Sequence, residues 1–278
     1  MAQILTANSF DLSKVKFSKV RPLNKGKMVF VNYNNGKVIL KTPKMYIPFG
    51  MKCWDDEGKA KTEDLKYELS LSFNGYDTDP KIKEFFDKVK EYDEFIKNAI
   101  VKNSKEWLGF EVKSKKDVEN RECYNESIKQ CKKNGVVSTE YAPTMRLKVD
   151  REKTEEGFTG NFIASNSTQS PLIFVDSNLK ELTCNEKNYA SVVPNGCHMS
   201  AVIELSYVSL VNKTVSTKWK LVQAKVFKKQ TGLSGLCFTA GEDSDCEEEE
   251  ENNENEEEEL QEDLDSIEEE LEDLELKE

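Results

Sequence analysis

Lys27-Met-Val-Phe-Val-Asn-Tyr33, Asn34-Asn-Gly36 and Lys37-Val-Ile-Leu-Lys41 read together as two strands joined by a tight turn. Apolar and polar residues alternate along both arms, and Asn-Gly supplies the positive φ angles that a short hairpin requires. A third strand is expected in Lys44-Met-Tyr-Ile-Pro-Phe49, with Pro43 and Pro48 marking its ends or an edge. Leu65, Tyr67, Leu69, Leu71 and Phe73 then alternate with polar residues, the signature of a half-buried strand. Further strands are expected over 144–149, 157–164, 172–176, 199–211 and 215–228, the last two forming a long hairpin around Asn212-Lys213-Thr214.

The period changes after Asp79-Pro80, an N-cap followed by proline at the first helical position. Ile82, Phe85, Phe86, Val89, Tyr92, Phe95, Ile96, Ala99 and Ile100 recur at helical spacing, predicting a helix over 80–101. Lys81, Lys83, Lys88, Lys90 and Lys97 occupy its other faces, so the apolar stripe reads as packing against a sheet. A second, weaker helix is expected over 117–133, ended by Asn134-Gly135. About nine strands with one or two helices make a mostly β (α+β) barrel or sandwich, not a doubly wound sheet.

Charge divides the chain. It has 278 residues, with 40 Lys+Arg and 52 Asp+Glu. Residues 242–278 hold 23 of the acids and one base, a net −22, which leaves 39 bases and 29 acids, or +10, in residues 1–241. The expected organisation is a basic β-rich body over 1–230, a glycine-bearing linker over 231–241 and an acidic tail over 242–278.

Several function classes recede. No stretch approaches the ~18 consecutive apolar residues of a membrane span, so no membrane partner is expected. Met1-Ala-Gln-Ile-Leu-Thr-Ala-Asn8 lacks the charged start and apolar run of a secretory signal. The seven cysteines form no Cys-x-x-Cys pair and His198 is the only histidine, so neither the usual zinc spacing nor a recognisable nucleophile–histidine motif is present. Phosphate-binding glycine loops are absent as well. The reading is therefore not an enzyme, with no metal and no cofactor.

The polar faces of several strands are basic. Arg146 and Lys148 oppose Met145, Leu147 and Val149; Lys37 and Lys41 oppose Val38 and Leu40; Lys44 shares a face with Tyr46; Lys218 and Lys220 flank Trp219. Interleaved with Tyr46, Phe49, Trp54, Trp219 and Phe227, these residues suit single-stranded nucleic acid, since cations neutralise phosphates and rings stack on bases. The plainer reading is that lysine is a common solvent-facing strand residue. The candidate nucleic-acid contacts are Lys37, Lys41, Lys44, Tyr46, Arg146, Lys148, Trp219 and Lys220. Leu221 shares the face of Trp219 and favours a core role for that ring, which makes Tyr46 the better stacking candidate.

The basic β-rich body with an acidic C-terminal tail resembles the replicative single-stranded-DNA-binding proteins of tailed phages. Leu40-Lys-Thr-Pro-Lys-Met45 with Pro48-Phe-Gly50, Tyr141-Ala-Pro-Thr-Met-Arg-Leu-Lys148 and Trp219-Lys-Leu-Val-Gln-Ala-Lys-Val226 resemble segments of a family found in large nucleocytoplasmic DNA viruses. That resemblance implies an elaborated OB-fold-type barrel with extra strands and the long inserted helix. It also implies a role in viral DNA replication, repair or recombination, in the host cytoplasm or nucleus at replication sites or packaged in the virion.

Two other readings stay open: an acidic-tailed chaperone for histones or other basic proteins, and a replication or transcription scaffold. The tail itself has two parts. Residues 242–259 are dense in like charge and expected to be disordered. Leu260, Leu264, Ile267, Leu271 and Leu274 recur at spacings of 4, 3, 4 and 3, a stripe expected to fold on a partner such as a DNA polymerase or helicase. The preceding acidic run either competes with DNA for the basic body or merely keeps the protein soluble.

Overall fold

Alternation does most of the folding work. The computed structural model describes residues 3–23, 26–54, 65–133, 136–138, 140–165 and 170–228, all within the unit Met1–Gln230. The linker over 231–241 and the acidic segment over 242–278, with Leu260, Leu264, Ile267, Leu271 and Leu274, lie outside the described residues.

The main elements are β1 (Gly26–Tyr33), β2 (Gly36–Ile47), β3 (Met51–Trp54), β4 (Lys66–Ser72), α1 (Pro80–Leu108), α2 (Lys115–Asn120), β5 (Thr144–Thr154), β6 (Gly157–Ser165), β7 (Cys197–Val211) and β8 (Thr214–Phe227). Five of them close a ring. Strand β2 meets β4 at Tyr46↔Ser72, β4 runs antiparallel to β5, β5 meets β8 in parallel at Lys148↔Lys220, β8 returns antiparallel along β7, and β7 pairs with β2. This is the strand order of an OB barrel, with a single parallel contact between its third and fifth strands. The mostly β, OB-type fold with one long inserted helix is what the chain adopts.

Inward residues fill the ring: Leu40, Met45, Ile47, Leu69, Leu71, Met145, Leu147, Ile203 and Leu221 are each no more than 2% exposed. Full burial of such side chains contributes about 1.5–3 kcal/mol each. Strand β5 alternates buried Met145, Leu147 and Val149 with exposed Arg146 and Lys148, and the alternation that marked β4 holds through Tyr67, Leu69 and Leu71.

The opening hairpin departs from expectation in two ways. Asn34 and Asn35 carry the positive φ angles, at 48° and 63°, and Gly36 begins β2. Only Asn32↔Lys37 and Tyr33↔Gly36 pair, because β7 takes both arms: its residues 207–210 pair with β1 and residues 197–205 with β2. The separate third strand is also absent, since β2 continues through Pro43. Thr42 and Pro43 together oppose Ala201, whose N–H donates to Thr42 Oγ1 at 2.9 Å. This bulge resets the alternation, so Lys37 and Lys41 before it and Lys44 and Tyr46 after it all face outward.

Helix α1 begins as expected, with the Asp79 carboxylate accepting from the N–H groups of Lys81 and Ile82. It runs to Leu108, 29 residues, past a non-helical Asn103, and stops at Gly109 in the left-handed region (φ 81°). Trp107 and Leu108, both buried, explain the extra length. The second helix is only Lys115–Asn120; the rest of its expected span forms short strands, including Ile128–Lys129, which pairs with Thr144 and Met145 of β5.

A polar chain ties this insertion to the barrel. Asp93 on α1 accepts from Tyr124 Oη (2.5 Å), Ser127 N and Ser127 Oγ (2.8 Å), and Ser127 Oγ accepts from the Trp219 indole at 3.0 Å. Burial pushes the Asp93 carboxyl upward while these donors hold it down. Burial also works against the charge on Lys97, but ion pairs with Glu126 (2.7 Å), Glu94 (3.0 Å) and Glu119 (3.1 Å) outweigh it and raise its pKa.

Candidate nucleic-acid interface

An OB barrel presents the outer face of its second and third strands, with the loops joining its first to second and fourth to fifth strands, to oligonucleotides. Here those strands are β4 and β5, and β3 belongs to the first connection. Strand register aligns the outward side chains into rows. Lys52, Glu68, Lys148, Lys220 and Glu204 form one row across β3, β4, β5, β8 and β7. Ser70 and Arg146 form the next row on β4 and β5, and Lys218, Tyr207 and Phe30 continue the sheet on β8, β7 and β1.

Two exposed rings stand at the β3 edge, Phe49 (50% exposed) and Trp54 (49%). The Lys52 ammonium lies 4.8 Å from the Phe49 ring centroid, and the Arg146 guanidinium carbon 5.8 Å from that of Trp54. Glu68 fixes the second pair: it accepts from the Trp54 indole N–H and from Arg146 Nε at 3.1 Å. The result is a flat, half-open platform beside a fixed cation.

Beyond it, positive charge is crowded. Lys218 is exposed, yet loss of hydration among its neighbours and repulsion from Lys148 and Arg146 lower its pKa. Lys129 is lowered first by burial, with Arg146 and Lys132 adding repulsion against the opposing pull of Glu126 and Asp93. Neither lysine has a carboxylate within ion-pair distance among the described residues. Crowded, uncompensated ammonium groups on an open sheet favour an incoming polyanion.

The eight sequence candidates do not form one site. Lys37, Arg146, Lys148 and Lys220 share the outer face, three of them in a charge network: Lys37 to Glu204 at 3.0 Å, Lys148 to Asp150 at 2.7 Å, and Lys220 to Asp150 and Glu204 at 3.5 and 3.7 Å. Lys220 is 11% exposed, which leaves it a partner for buried carboxylates more than a phosphate contact. Lys41 is exposed opposite Val202. Lys44 and Tyr46 sit farther along β7, at Ser200 and His198, at least about 13 Å from Glu204 at ~3.3 Å per residue. There Lys44 and Lys225 lie 4.6 and 5.4 Å from the Phe227 ring, and Tyr46 packs 5.4 Å from the ring of His198.

Trp219 is 3% exposed, edge-on to Tyr92 at 5.6 Å, with its N–H bound to Ser127. It lines the underside of a depression shared with Lys37 and Lys218, with almost none of its surface open, so it belongs to the core and the stacking role goes elsewhere. Cys197, beside His198, is buried, and burial pushes its thiol to about 11, so it stays protonated. The sequence placed Trp54 and Lys218 among the rings and bases of this surface without singling them out. Lys129 was hidden by the expected helix, and Glu68 looked like an ordinary outward strand residue.

Comparison with known proteins gives remote likenesses. No protein-family profile matches the chain. An uncharacterized protein of Acanthamoeba polyphaga mimivirus is 25% identical over 216 residues, 75% of this chain; the chain spans 30% of that relative's length. The single-stranded DNA-binding protein of bacteriophage Enc34, solved in complex with ssDNA, aligns with a TM-score of 0.39 at 16% identity, covering 76% of this chain and 94% of that one. The single-stranded DNA-binding protein gp2.5 of bacteriophage T7 aligns with a TM-score of 0.35 at 15% identity, covering 75% and 92%.

Proposed function

We propose that the chain binds single-stranded DNA without catalysis and with weak sequence selectivity, in viral DNA replication, repair or recombination. The reading is carried by one arrangement: Trp54, half-exposed and held by Glu68 beside Arg146, on the β4–β5 face next to the crowded Lys218 and Lys129. A ring gives any base a surface to stack on, and the cations meet the backbone, so neither contact reads sequence. The body over 1–230 takes the DNA. The tail over 242–278, at −22, competes with DNA for that surface across the linker 231–241, and its leucine stripe recruits a DNA polymerase or helicase. The site of action is the host cytoplasm or nucleus where viral DNA is copied.

The test is fluorescence anisotropy with a labelled dT oligomer, comparing the full chain with residues 1–241. Both should bind, the shorter more tightly, because its intramolecular competitor is gone. Absence of binding by either form sinks the reading. Histone binding that disappears with the tail, without oligonucleotide binding, would favour the chaperone.

A further inference from the structure

The Trp54 platform has a counterpart at the other end of the sheet. Phe30 of β1 and Tyr207 of β7 are cross-strand partners, half-buried on the outer face, with rings 6.5 Å apart at 72°. The Arg21 guanidinium carbon lies 5.3 Å from the Phe30 centroid, much as Arg146 lies over Trp54. Phe30 and Tyr207 line one end of a depression of about 390 Å³ that also contains Lys37, Lys218 and Lys148. Tyr207 pairs directly with Lys218, which connects the two ends through the uncompensated cation.

The charges along this path favour an anion. Lys37, Arg146, Lys148, Lys218 and Lys220 face Glu68, Asp150 and Glu204, five cations against three carboxylates. The carboxylates hold Lys37, Lys148 and Lys220 in place and leave an excess of positive charge among the residues that line the depression. An Arg on a ring at each end, with lysines outnumbering carboxylates between, is a pattern that neither core packing nor solubility requires.

We infer that Phe30 and Tyr207, with Arg21, are a second base-stacking station for the same single strand, which crosses the outer face from Trp54 past Lys218 to β1. This rests on the single-stranded-DNA reading above and adds its path and direction across the sheet. Five inter-strand steps, from β3 through β4, β5, β8 and β7 to β1, cover about 24 Å of sheet at ~4.8 Å each. That length lies at the short end of what a single OB fold engages, about 4–16 nucleotides.

Trp54 makes the test separable: it is 49% exposed, whereas Trp107 and Trp219 are 5% and 3% exposed, so quenching by a stacked base reports chiefly on Trp54. The full chain is titrated with dT of about 12 nucleotides, following Trp emission and anisotropy, in wild type, Phe30→Leu and Tyr207→Leu. Leucine keeps the apolar bulk and removes the π-face, so folding is preserved, as a thermal melt checks. Each variant should lose about 5- to 150-fold in affinity while the Trp54 quench at saturation stays at the wild-type level. Wild-type affinity in both variants, with the quench intact, overturns the second station and leaves the DNA reading standing. No binding and no quench in the wild type removes both.

Discussion

Arg146 lies over the face of Trp54, 5.8 Å from guanidinium carbon to ring centroid, and both side chains bond to the same carboxylate, Glu68. Three strands contribute one residue each, so the platform exists only once β3, β4 and β5 are in register. The shared carboxylate restricts the rotamers of two long side chains before any ligand arrives. That lowers the ordering cost of binding, which runs at about 0.5–1.5 kcal/mol per immobilised side chain.

Trp54→Ala should weaken dT binding by about 1–3 kcal/mol, the usual worth of a base–aromatic stack. It should also abolish the fluorescence quench. Its Tm should stay close to wild type, since the ring is 49% exposed and fills no core space. A titration curve matching wild type would remove Trp54 from the interface.

Arg146→Ala and Lys218→Ala address the phosphate contacts. For single strands, log K against log salt has a slope of roughly −0.7 per phosphate neutralised, so each change should flatten it by about 0.7. Lys220→Ala should behave differently. Lys220 lies between Asp150 and Glu204, and its loss leaves buried carboxylates undercompensated, so the cost should show in Tm while the slope is kept. Equal slope changes in all three variants would contradict the assignment of Lys220 to the buried carboxylates.

The barrel was legible because much of its strand sequence alternates: β4 over 67–71 and β5 over 145–149 declare their inner faces residue by residue. What the alternation cannot report is which outer faces adjoin. Lys218 and Arg146 are 72 positions apart, and only the parallel β5–β8 contact makes them neighbours. Lys37 and Lys220 read as open cations because Glu204, which pairs with both, lies on β7, whose register is set by bulges. Trp54 was inconspicuous for a local reason: β3 is four residues long, too short for a period to emerge.

Trp219→Ala should act on folding. The side chain is buried against Tyr92 and bonded to Ser127, which also donates to Asp93. Removing it leaves a cavity and breaks the chain joining α1 to the barrel, at a cost of about 3–5 kcal/mol. Urea unfolding should show the midpoint fall, and the remaining folded protein should still bind dT with wild-type affinity. A selective loss of affinity at unchanged stability would restore Trp219 to the interface.

The lowered pKa values of Lys218 and Lys129 give opposite pH trends for folding and binding. Each lysine falls below its ordinary 10.5 in the fold, so between the folded value and 10.5 the unfolded chain holds more protons. Stability contributed by these groups therefore rises with pH across that window. DNA acts in the other direction, since phosphate favours the ammonium form: binding takes up protons, and affinity falls as pH climbs through the folded values. The affinity for dT should thus begin to decline before the range of ordinary lysines, and titration calorimetry in that window should give an enthalpy that depends on the buffer's ionisation heat. Lys218→Arg keeps the charge at every accessible pH and should move the decline upward. An affinity that stays flat to about pH 10, close to the unperturbed lysine value, would mean that the phosphates never meet this pair.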